Sequence, residues 1–182
     1  MDTEEKTFKE RVLEILPDIE AGPLTITYLN EIWKWFMNHY TYVHDDKNAE
    51  IGYVRENWRS ALPSIVEQIE ATGDFHIKDD CDIVVTMAHI ALILGWEEKN
   101  VVAVRCLSPQ AKRGVPFDHY IGWFRYNDLW VVCDVWSPET RERMYVLGTH
   151  ADPGHTPVDG MQFPLKHNGW KKIEKFYKEP SK

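Results

Sequence analysis

Cysteine is scarce in this chain: Cys81, Cys106 and Cys133 are the three thiols among 182 residues. The number is odd, and the spacings of 25 and 27 residues match no zinc pattern. A disulfide scaffold is therefore not expected, and reduced thiols fit a cytosol-like compartment. No stretch approaches the ~18–20 apolar residues that a membrane span needs. The opening residues Met1-Asp2-Thr3-Glu4-Glu5 are acidic rather than apolar, so no signal peptide and a cytoplasmic location are expected. Positive charge is also in deficit, with 21 Lys and Arg against 29 Asp and Glu, a net −8. A duplex nucleic-acid partner is not expected of such a surface. Internal repeats and low-complexity linkers are missing too.

What is present is a globular composition. Apolar residues reach 43% and aromatics 13%, with 8 Trp, enough for a sizeable aromatic core. One domain over residues 1–182 is expected, with a helical part at about 1–72, a core at about 73–148 and a loop-rich part at 149–182. Helical periodicity is read over 3–16, ended by Pro17, and over 25–40, with Leu29, Ile32, Trp33, Trp35 and Phe36 on one apolar face. Residues 41–57 read as loop, 62–71 as a short helix, and 170–178 as a closing helix in a basic stretch of six Lys against two Glu from Lys166 to Lys182. Between Asp80, a good N-cap, and Gly95, a good C′ residue, the chain is apolar nearly all round, which predicts a central buried helix. Strands are predicted over 101–107, 118–126, 129–136 and 142–147. Residues 149–169, rich in Pro and Gly, read as loop.

Three residues converge on one chemistry. Cys81 directly follows the N-cap of the buried helix, where the partial positive charge of the helix start stabilises a thiolate. His119 lies on a predicted strand and supplies a base. Asn127-Asp128 reads as a two-residue hairpin turn, because both residues tolerate φ > 0. With that turn, His119 stands opposite Trp136 and Asp134 opposite Ile121, so His119 and Asp134 become diagonal neighbours on one face. A three-residue loop would move Asp134 to the other face. Asp134 would then hold the His119 tautomer and stabilise its imidazolium, while Cys81 attacks a carbonyl to give a tetrahedral oxyanion and then a thioester. The Cys81 backbone N–H is one expected oxyanion donor, and Asn57 or Gln68 the second.

At these residues the chain resembles the bacterial transglutaminase-like cysteine peptidases, papain-like enzymes whose central helix opens on a Gly-Asp-Cys-Glu-Asp-Tyr-like motif. Here the corresponding run is Asp79-Asp80-Cys81-Asp82-Ile83. The 38 residues from Cys81 to His119 and 15 more to Asp134 are similar to the family's intervals. Leu29-Asn30-Glu31-Ile32, Tyr42, Asp45 and Trp58 are similar to its first helix and tryptophan, so the likeness spans roughly residues 25–137. It implies an α+β fold with a buried helix packed on an antiparallel sheet, a protein or peptide substrate, and a bacterial or phage source. Some relatives bind calcium through acids flanking the cysteine, which implies a calcium site at Asp80 and Asp82; no other cofactor is expected. Asp79 replaces the family's Gly and Ile83 its second acid. These departures keep two alternatives beside the peptidase: a transamidase or glutamine deamidase with the same triad, and a non-catalytic binding protein.

Other polar clusters are read as ordinary structure. His150, Asp152 and His155, like His39, His44, Asp45 and Asp46, match no strong metal spacing. His89 is expected to be a satisfied core or cleft residue. Trp123, Trp130 and Trp136 share the His119 face and are expected to pack against the central helix.

Overall fold

Thr7 opens the first helix. Its hydroxyl accepts from the Glu10 backbone N–H while the Glu10 carboxylate accepts from the Thr7 N–H, a reciprocal cap that fixes α1 at Phe8–Ile15. The helix thus starts later than the periodicity over 3–16 suggests, and Leu16 is extended, as a residue before Pro17 must be. The structure, a computed structural model, describes residues 6–42, 60–79, 82–108, 117–135, 138–148 and 170–174. The readings at 43–59, 109–116 and 149–169, Trp136 included with them, fall outside these residues.

Helix α2 (Ile26–Asn38), capped by the Thr25 hydroxyl, buries Leu29, Ile32, Trp33 and Phe36. A short strand β1 (Tyr40–Tyr42) follows, and after the undescribed stretch comes α3 (Leu62–Thr72), ended by Gly73 at φ 79°. Arg11 on α1 makes a forked pair with Glu70 on α3, which docks the two helices at their exposed edges. Strand β2 (Ile77–Asp79) pairs parallel with β1, a small sheet that the sequence does not announce.

Helix α4 (Asp82–Ile93) has Ile83, Val84, Val85, Met87, Ala88, Ile90 and Ala91 all buried, so it is the central helix its all-round apolarity predicts. Gly95, at φ 100°, ends it: its N–H donates to Leu92 and that of Trp96 to Ala91, the paired bonds of a left-handed glycine stop. After a 3₁₀ turn (Glu98–Asn100) come β3 (Val101–Ser108), β4 (Phe117–Tyr126), β5 (Leu129–Cys133), α5 (Pro138–Glu142), β6 (Tyr145–Gly148) and β7 (Trp170–Glu174). The five strands form one antiparallel sheet in the order β6-β5-β4-β3-β7. The architecture is α+β.

Two sequence readings are corrected. Residues 170–174 are strand, not helix. Trp170 pairs with Cys106 and Ile173 with Val104, with a register shift between them. The bulged residue lets positions three apart share one sheet face, which imitates a helical period. Residues 138–142 are helix, so the strand expected over 142–147 begins only at Tyr145. Among the described residues no helix is long and apolar enough to cross a membrane.

Candidate active site

The β4–β5 hairpin sets the geometry. Asn127 and Asp128 both have positive φ, 47° and 64°, the requirement of a two-residue turn that matches strand twist. The ladder then runs Tyr126↔Leu129, Phe124↔Val131 and Gly122↔Cys133, the register that places Asp134 opposite Ile121. The strand stops one residue short of that pair, because β5 ends at Cys133 rather than reaching 136. Asp134 still keeps its side: Cys133 and Val135 both belong to the core built on α4, so Asp134 between them faces the other way. His119 sits two residues from Ile121 along β4, on that same face by register, and Asp134 is fully buried.

The end of α4 is held at the opposite, hairpin-turn end of the sheet. Trp96, just past the helix, packs its ring 6.3 Å from Phe124 and 6.1 Å from Tyr126, at the hairpin-turn end. Cys81 itself, with Asp80 and Asn57, lies outside the described residues.

A chain of contacts runs from Asp79 to Val135. Tyr42 pairs with Asp79, two residues before Cys81. The Arg141 guanidinium lies over the Tyr42 ring at 5.5 Å and donates from Nε to the carbonyl of Val135, the residue after Asp134. Tyr42 and Arg141 are site-bordering residues that sequence reasoning missed, and only the unpredicted β1–β2 pairing and α5 bring them here.

The two faces of the sheet do not coincide with the expectation for the tryptophans. Ala103, Phe124, Val131 and Cys133 join α4 in the main core. Trp123, Trp130, Ile121 and Val132 are buried on the opposite face, with the two indoles 5.8 Å apart. They do not pack against α4. His119 and Asp134 share this second face, as does Cys106, the direct cross-strand partner of His119. On its β5 side β4 has no ladder partner from Phe117 to Ile121 among the described residues.

The remaining residues sort on chemistry. Burial, then the neighbouring Asp134 carboxylate, push the Cys133 thiol far up, so it is held protonated in the α4 core. Gln68 accepts from the His76 N–H and donates one amide hydrogen to Ser64. His39 bonds the Trp35 carbonyl, stacks on Phe75 and faces Asp74, a structural role. No group of three or more metal-ligating side chains occurs among the described residues; the Asp80 and Asp82 side chains are not among them. Comparison with family models, with curated proteins and with solved structures gave no match.

His89, on α4, is buried with its ring 5.8 Å from Phe8 and Nδ1 2.9 Å from the Ser60 hydroxyl. Burial lowers its pKa to about 4. The unfolded chain binds a proton near pH 6.5 that the folded chain refuses until about pH 4. Stability from this residue is therefore complete above pH 6.5 and is lost as the pH falls toward 4, by a total on the order of 3 kcal/mol. Urea unfolding of the parent and of His89→Gln at pH 7 and pH 4.5 should show a smaller acid loss in the variant. Equal losses would remove His89 as the cause.

Proposed function

We propose that the chain is a cysteine hydrolase of the transglutaminase-like, papain-like type, with Cys81 as nucleophile, His119 as base and Asp134 as the orienting acid. The observation that supports this reading is the hairpin register, by which His119 and the buried Asp134 fall on one face of adjacent strands. The Cys81 thiolate would gain from the α4 N-terminus. It attacks a peptide carbonyl, the oxyanion meets N–H groups at the helix start, and His119 passes its proton to the leaving amine. Water resolves the thioester. An amine in place of water gives transamidation, and a glutamine side-chain amide as substrate gives deamidation.

One observation favours a second assignment of the thiol. Cys106 stands directly across from His119 on the His119–Asp134 face, whereas α4 packs on the other. The same experiment separates the two. Iodoacetamide labelling across pH, read by peptide mass spectrometry, is expected to modify Cys81 first, with a midpoint below the free-thiol pKa of about 8.5. His119→Ala should move that midpoint upward and Cys81→Ala should abolish the fast phase. The midpoint is the readout because a thiolate of lower pKa is also a weaker nucleophile. Faster labelling of Cys106 would transfer the nucleophile to β3. A fast thiol with no cleaved backbone, no released ammonia and no amine incorporated into glutamine would leave a binding protein.

A further inference from the structure

Arg141 is held in place by two contacts that use only part of its hydrogen-bonding capacity. Nε donates to the Val135 carbonyl and the guanidinium lies over Tyr42. The side chain is half-buried, and among the described residues no carboxylate forms an ion pair with it. A guanidinium fixed through Nε and one face still offers its terminal N–H fork, the geometry that receives a carboxylate through two parallel bonds.

The surroundings suit that ligand. Arg141 lines a groove of about 390 Å³ with Lys34, Met37, Asn38 and Glu142. Lys34 is balanced by Glu31 at 2.7 Å, and the exposed Glu142, which also lines the groove, opposes an anion there. Among the described residues Arg141 is the groove cation with no ion pair, and Glu142 is the groove's own carboxylate. The whole chain carries a net −8, so its long-range field repels anions, and a carboxylate retained here is retained by local geometry. Arg141 itself touches Val135, which adjoins Asp134, and Tyr42, which pairs with Asp79 two residues before Cys81.

We propose that Arg141 and this groove form a carboxylate-binding subsite, so that the preferred substrate carries an acidic group near the bond that reacts. The word substrate rests on the cysteine-hydrolase reading; the binding of a carboxylate does not.

The test uses the full chain and three probes of one size: the α-amide of N-acetyl-L-glutamic acid, N-acetyl-L-glutamine and N-acetyl-L-glutaminamide. The first carries a side-chain carboxylate, the second a terminal one, the third neither. Titration is followed at the arginine Nε–H resonances by NMR. The Arg141 signal, assigned by its loss in Arg141→Gln, is expected to shift saturably with at least one carboxylate probe and not with the diamide. Which acid shifts it names the side-chain or the terminal carboxylate. Arg141→Lys, which keeps the charge and loses the fork, should weaken binding about tenfold or more, with Tm showing that it folds. The same probe should slow iodoacetamide labelling of the fast thiol in the parent chain and not in Arg141→Gln. Equal shifts with all three probes, or none, would overturn the subsite, as would full affinity in Arg141→Lys. If Arg141→Gln does not fold, the parent titration and Arg141→Lys decide. A carboxylate-specific shift without any fast thiol would keep the subsite and sink the hydrolase reading; a fast thiol without the shift would do the reverse.

Discussion

Asp134→Asn is expected to keep the fold and to reduce turnover by about 10⁴-fold, about 5 kcal/mol of transition-state stabilisation, the loss a nucleophilic triad suffers when its carboxylate becomes an amide. Asparagine has nearly the same volume, so the buried site is not emptied. What changes is the partner presented to His119. A carboxylate accepts a ring N–H and stabilises the imidazolium, whereas an amide NH₂ favours the opposite tautomer. An opposite charge at ~4–6 Å is worth roughly 1–3 pKa units to a titrating neighbour, so the labelling midpoint of the reactive thiol should rise along with the kinetic loss. A purely structural Asp134 gives a different result: a lower Tm and an unchanged labelling profile. Burying a carboxylate is costly unless donors or cations face it, so a fall in stability alone does not distinguish the two readings. The pH profile does.

The part of this site that could be read in the sequence is the part that local rules fix. Asn127-Asp128 determines a turn length, turn length determines parity, and parity puts His119 and Asp134 on one face. The central helix was equally legible, because no exposed helix is apolar at every position from Ile83 to Ala88 except Thr86, and Gly95 marks its end. Parity does not say which face a helix covers. Trp123 looks like a partner for α4, yet the face bearing Ala103, Gly122 and Phe124 took that role. Gly122 has no room for a side chain on that face: a Cβ there would lie 2.7 Å from Sγ of Cys133, its cross-strand partner. The β1–β2 pair was invisible because three-residue strands carry too little pattern. The strand at 170–174 was misread because its bulge breaks the period of two. Arg141 and Tyr42 were missed for a tertiary reason, since nothing local links residues 42, 135 and 141.

Trp33→Ala is expected to be the most destabilising single change in the helical layer, by about 3–5 kcal/mol, a large share of the ~5–15 kcal/mol that holds a typical domain. Trp33 is fully buried, and its indole N–H donates to the Thr140 carbonyl at 3.0 Å. Asn30, one turn earlier on α2, accepts from the Met144 N–H at 2.9 Å. Together they clamp α5 and the start of β6 onto α2, and α5 carries Arg141. The variant loses a large ring, its packing and the clamp. For a chain of this size each kcal/mol moves Tm by about 2–4 °C, so a fall of roughly 6–20 °C is expected in a thermal melt. Trp33→Phe keeps most of the ring and should cost only about 1–2 kcal/mol, mainly the hydrogen bond. Ile65→Ala on α3 is the control, because it also empties a fully buried position, at about 2–5 kcal/mol, without touching α5. If α2 positions the site, Trp33→Ala shifts the Arg141 resonance and the thiol midpoint at temperatures where it is still folded, and Ile65→Ala leaves both in place. Equal effects of the two variants on both readouts would mean that α2 contributes stability alone.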